Sequence, residues 1–193
     1  MSEGNGVIGE VVQASTTRFR AIAAKVFEPP RFGSFVKVSS PVGTVYGVVA
    51  GVETASFDSA RRAMAFGMPW DQLIREQPQL MELIQTEFET VVIGYGDEAS
   101  LHHYLPPYPP RLHDFARLCD PTEVAALTDS LEFVRTLAAL RDVPVNELVA
   151  AAIREASLAR GRDESFVAGA ARAVAELFKD DYDVAMSIVR RLS

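Results

Sequence analysis

With 193 residues, 48% of them apolar, the chain suffices for one large packed domain or two small ones. A net charge of −7 runs against the basic excess of a general nucleic-acid binder. The single cysteine, Cys119, excludes an intramolecular disulfide and any zinc site built on several thiolates.

The first half reads as β. Val7 to Gln13 is rich in β-branched residues and free of proline. After a break at Ser15–Thr17, Phe19, Ala21 and Ala23 alternate with Arg18, Arg20 and Ile22, a period-2 pattern with one mostly apolar face. Pro29 to Ser34 is a loop, Phe35 to Val38 a short strand, Ser40 to Gly43 a turn, and Thr44 to Val52 a further strand. Gly43, Gly47 and Gly51 recur every four residues, which puts all three on one face because side chains alternate with period two. Glycines inside a strand mark bulges and tight bends, as a small barrel requires.

From Asp71 to Gln85, residues Leu73, Ile74, Leu80, Met81 and Ile84 fit one inserted helix that Pro78 kinks or breaks. Strand character returns from Glu87 to Tyr95, with Glu87, Glu89 and Val91 on one face and Phe88, Thr90 and Val92 on the other. Pro106 to Pro110 is extended, a rigid crossing segment, and Leu112 to Leu118 is a final strand. A helix start follows: Asp120 as N-cap, Pro121 in the first turn and Glu123 at the capping-box position. Four helices are expected beyond it. Their stripes are Val124, Leu127, Leu131, Val134 and Ala138; then Leu148, Ala151 and Ala152; then Val167, Ala170, Ala171, Val174 and Leu177; then Ala185, Ile188, Val189 and Leu192. The expected fold is α+β: a small antiparallel β-barrel with an inserted helix over residues 1–118, then an all-α helical bundle over 119–193.

No motif for turnover emerges. No lysine follows a glycine, so there is no P-loop. Gly4 to Gly9 matches G-x-G-x-x-G in letters, but a strand pattern follows it where a dinucleotide site needs a helix. His102, His103 and His113 with Asp97, Glu98 and Asp114 read as a polar loop before they read as a metal site. Cys119, just before the N-cap, reads as a structural thiol, because nothing in the sequence orients a base toward it. Neither catalytic residues nor cofactor are expected. Met1 to Gly6 has no charged-then-apolar signal pattern, and no apolar run approaches bilayer length, so a cytoplasmic protein is expected.

Ile8-Gly9-Glu10-Val11-Val12, Phe32-Gly33-Ser34-Phe35-Val36-Lys37-Val38 and Val45-Tyr46-Gly47-Val48-Val49 resemble successive strands of the HAS barrel family, named for HerA helicases and rotary ATP synthase subunits. Val91 to Tyr95 and the proline-rich stretch fall where that family places them. The resemblance implies a non-catalytic barrel that helps ring subunits assemble or docks partners. In the family's ATPases a RecA-like motor follows the barrel; here only about 75 residues of helical pattern follow. The expected role is therefore an interaction and assembly module. Its partner is a protein, an ATPase or nuclease, or a second copy of the chain. Arg18, Arg20, Tyr46, Arg61 and Arg62 are the partner-facing candidates. The alternative is an OB-like barrel binding single-stranded nucleic acid, with Phe19, Tyr46, Arg18 and Arg20 as its stacking and basic residues.

Overall fold

The structure is a computed structural model describing residues 6–41, 43–56, 65–97 and 100–192. Its elements in chain order begin with β1 (Val7–Ala14), β2 (Arg18–Ala23), β3 (Phe35–Ser40) and β4 (Gly43–Ser56). Next come α1 (Trp70–Glu76), α2 (Leu80–Leu83), β5 (Ile84–Gly96), β6 (Leu101–His102) and β7 (Phe115–Leu118). Five helices complete the chain: α3 (Pro121–Thr128), α4 (Glu132–Ala138), α5 (Val145–Ala159), α6 (Glu164–Leu177) and α7 (Tyr182–Val189).

Six strands run antiparallel in the order β2-β1-β7-β3-β4-β5. β5 then pairs back onto β2, from Arg18 opposite Val91 to Ile22 opposite Glu87, and the sheet closes into a barrel. Closure removes the exposed edges an open sheet would offer for strand addition. β6 lies outside the ring, paired only to the end of β5. The protein is α+β with an N-terminal antiparallel β-barrel.

The alternation read from the sequence decides what fills the barrel. Val11, Phe19, Ala21, Val36, Val38, Val45, Val49, Phe88, Val92 and Ala116 pack together inside it. On the outside, β3, β4 and β5 are apolar as well: Phe35, Val48, Ala50, Val91 and Ile93 form one buried cluster with the helices. A strand covered on both faces reads as a continuous apolar run, as Val45 to Ala50 does. The helices cover this side. α5 is their hub, touching α3, α4, α6 and α7, with Leu148, Val149, Ala150, Ala151, Ala152, Ile153 and Ala156 all buried.

Two expectations need correction. The three glycines of β4 do not share a face. A bulge at Ala50 shifts the register, so that Gly47 pairs with the interior residues Val36 and Val92 whereas Gly51 pairs with the outward-facing Glu89. The inserted helix breaks at Pro78, one of the two outcomes read from the sequence, because proline lacks the N–H that would carry α1 into α2. The stripe from Val124 to Ala138 is also two helices, making five after the barrel. Thr128 Oγ1 donates to the Val124 carbonyl at 2.7 Å and Arg160 Nη2 to the Ala125 carbonyl at 2.6 Å, which satisfies the end of α3. Leu131, in the left-handed region at φ 56°, then turns the chain into α4. The capping box at Asp120 forms as read: its carboxylate accepts from the Thr122 and Glu123 N–H groups, and Glu123 accepts from the Asp120 N–H at 2.8 Å.

Thr90 faces the barrel interior, fully buried, and among the described residues its hydroxyl has no hydrogen-bond partner. Its methyl carbon fits against Gly47, where an added Cβ would lie 2.4 Å away. Replacing Thr90 with valine keeps the shape and removes the orphan hydroxyl. The expected result is a gain of about 1 kcal/mol, read as a higher midpoint in chemical denaturation.

Candidate interaction surfaces

Arg18 and Arg20 project from the outer face of β2 toward the acidic residues that β5 carries opposite them. Arg18 Nη1 lies 2.9 Å from Glu89 Oε1, and its Nη2 lies 2.5 Å from Asp142 Oδ1 in the α4–α5 connection. Arg20 approaches Glu87 at 3.7 Å and Glu89 at 3.8 Å. The ladder thus ties β2 to β5 and the barrel to the helices. The hydrogen bond from Arg18 holds the Asp142 carboxyl below its ordinary range, and the same pairing raises the arginine. A carboxyl depressed in this way supports the folded state above its unfolded value. The support is lost as pH falls through the lowered folded value.

Tyr46 stands apart from this ladder. Its ring packs against the cluster under the helices and close to Gly96, and burial raises its phenol first of all. Phe19 is sealed inside the barrel at 1% exposure and offers no base a stacking surface. Arg61 and Arg62 lie outside the described residues. The five residues singled out from the sequence therefore do not form one described surface. Arg18 and Arg20 share a network with carboxylates, and Tyr46 belongs to the packing.

Cys119 lines a cleft of about 340 Å³ between the barrel and helices α3 and α5. Burial, reinforced by the Glu123 carboxylate, pushes its thiol well above the ordinary range, the direction opposite to an activated nucleophile. His102 is in strand β6 and not in a loop: Asp97 Oδ2 lies 3.0 Å from its Nε2, the Tyr104 hydroxyl 3.2 Å from its Nδ1, and Tyr95 stacks on its ring at 4.6 Å. His113, far away on the β7 approach, pairs with Glu10 at 2.6 Å. Among the described residues no three His, Cys, Asp or Glu side chains converge as a metal site requires.

A different surface stands out, on the segment between β4 and β5. The carbonyl of Pro69 accepts from the Gln72 and Leu73 N–H groups and starts α1, and Gln77 ends it before Pro78. Neither α1 nor α2 buries a single residue. Trp70 is 41% exposed and meets Phe27, itself 51% exposed, edge to face at 5.1 Å. Phe66 and Met81 of the same segment are exposed as well. Phe27 sits in the left-handed region at φ 65°, and its N–H donates to Thr86 Oγ1 at 3.0 Å. An aromatic residue there is a backbone outlier, of the kind that concentrates at binding and switch sites. In the sequence the apolar residues of this segment look like any amphipathic helix, which would bury its stripe. Only the lone tryptophan, the residue type most enriched at binding hot spots, hinted otherwise.

The chain matches no family model and no curated protein. Among the described residues no helix is long and apolar enough to cross a membrane.

Proposed function

We propose that this protein is a non-catalytic assembly module, a HAS-like barrel carrying a C-terminal all-α bundle on one side. It docks a protein partner through the α1–α2 arm and the Phe27–Trp70 pair. The partner is a ring ATPase, a nuclease or another copy of the chain, as the strand motifs shared with the HAS family suggest. The observation that carries this reading is the exposed aromatic pair: Phe27, held in a left-handed backbone between β2 and β3, meets Trp70 on a segment that buries none of its own helical residues. Two further features support it. The barrel ring closes where β5 pairs back onto β2, so its wall offers outward side chains for contact. The charges of Arg18 and Arg20, which a nucleic-acid face would need, are balanced within the chain.

The test is site-specific photocrosslinking in cells of the source organism, with the photoreactive residue at Met81 and, as control, at the exposed Ser15. Crosslinks to one defined protein from Met81, lost when Trp70 is changed to alanine, are the expected outcome. Equal crosslinking from both positions would remove the arm as a docking surface.

A further inference from the structure

The helices carry a second uncovered apolar surface. α5, α6 and the end of α7 frame a groove of about 740 Å³. Its floor is Leu158, Val167, Ala171, Val189 and Leu192. Two cations stand on its rim. Arg154 Nη1 donates to a backbone carbonyl, that of Arg191, at 2.6 Å, and Arg162 has no carboxylate within salt-bridge distance among the described residues. Glu164 is the only acidic residue in the lining. In a chain of net charge −7, an apolar groove edged by two such arginines selects an occupant with an apolar stripe and flanking carboxylates.

The chain itself displays that occupant. On α1, the exposed Trp70 and the half-buried Leu73 and Ile74 sit at i, i+3 and i+4, the spacing of a helix that lies in a groove. At 100° per residue, Asp71 and Glu76 fall on either side of that stripe, and Glu82 adds a third carboxylate on α2. We infer that the α5–α6–α7 groove of one chain receives the α1–α2 arm of a second copy. Because arm and groove are different patches, the contact is head-to-tail. Such contacts close into rings when the rotation permits and run on as filaments when it does not. The inference rests on the assembly reading above and names its partner as the chain itself.

Purified full-length protein decides it, through light scattering and sedimentation velocity over a concentration series. Trp70→Ala disables the arm, and Ala168→Glu places a carboxylate in the groove. Both positions are exposed, and circular dichroism verifies that each variant folds. Each variant alone is expected to weaken self-association at least about tenfold. An equimolar mixture of the two is expected to form a 1:1 pair and nothing larger, since one variant keeps its arm and the other its groove. Added salt weakens that pair. A wild-type protein that stays monomeric at every concentration, or associates regardless of Ala168→Glu, overturns the inference. So does a mixture that stays apart, which indicates a symmetric contact, and so does a groove that takes a different protein. In each of those cases the crosslinking from Met81 still judges the docking role of the arm on its own.

Discussion

Gly33→Ala is expected to destabilise the fold by about 3 kcal/mol, a large share of the roughly 5–15 kcal/mol that holds a domain together. Two separate costs add. Gly33 has φ +87°, where an L side chain crowds its own backbone, a strain of about 1–2 kcal/mol. Its Cβ would also lie 2.6 Å from the Ala151 Cβ and 2.8 Å from the Ala151 carbonyl carbon on α5. Helix backbone does not yield as a side-chain tip does, so this overpacking costs about 1–3 kcal/mol more. The position is fixed from the other side too: the Gly33 N–H donates to the Val49 carbonyl at 2.8 Å. The loop before β3 is therefore clamped between the barrel wall and the central helix. Denaturant titration measures the loss. Asn at position 33 tolerates the left-handed backbone but still carries a Cβ, so it is expected to recover only the smaller part. Shaving the facing helix with Ala151→Gly relieves one of the two close contacts and restores part of the remainder. A Gly33→Ala variant as stable as wild type would mean that α5 does not press on this loop.

Phe133→Ala is expected to cost about 3–5 kcal/mol. Phe133 on α4 is 1% exposed and meets Phe35 of β3 edge to face, ring centres 5.7 Å apart. Phe35 belongs to the outer face of the barrel, so this pair spans the seam between sheet and helices. A double-mutant cycle with Phe35→Ala is expected to return a coupling of about 1 kcal/mol, the part of the contact that area alone does not supply. The shape of the transition is as informative as its midpoint. One apolar cluster contains Phe35, Val48 and Val91 from strands together with Leu137, Leu148 and Ile153 from helices. Shared burial of this kind makes both parts melt in a single step. Two resolved transitions in the variant, helices first and barrel second, would instead mark residues 1–118 and 119–193 as separately folding units.

Head-to-tail docking through the arm fits the same economy of surface. The barrel packs one outer side, that of Phe35, Val48, Ala50, Val91 and Ile93, against its own helices. What it leaves over is a short helical excursion, Trp70 to Leu83, whose apolar side chains are at most half-buried, with Trp70 and Met81 exposed.

Local rules carried a good part of this fold. The alternation in Arg18 to Ala23 and in Glu87 to Val92 told inside from outside correctly, because neighbouring side chains on a strand must point to opposite faces. Pro78 and the Asp120-Pro121-Thr122-Glu123 start were legible because each acts through backbone groups a few residues away. The parity of Gly51 was not legible. A bulge depends on which strand lies opposite, and that strand is about 40 residues further along the chain. Nor was the fate of Arg18, since Asp142, which takes half its guanidinium, comes from a connection between two helices.

By itself, then, the sequence determined most of the elements, the two faces of most strands and part of the helix punctuation, all of which follow from steric and hydrogen-bonding preferences within a few residues. Tertiary structure alone decided that β5 returns to β2 to shut the barrel, which charges are consumed within the chain, and which apolar helix faces stay uncovered. Those outcomes are set by pairings between distant segments that compete for the same limited surface, and no short stretch of residues encodes who wins.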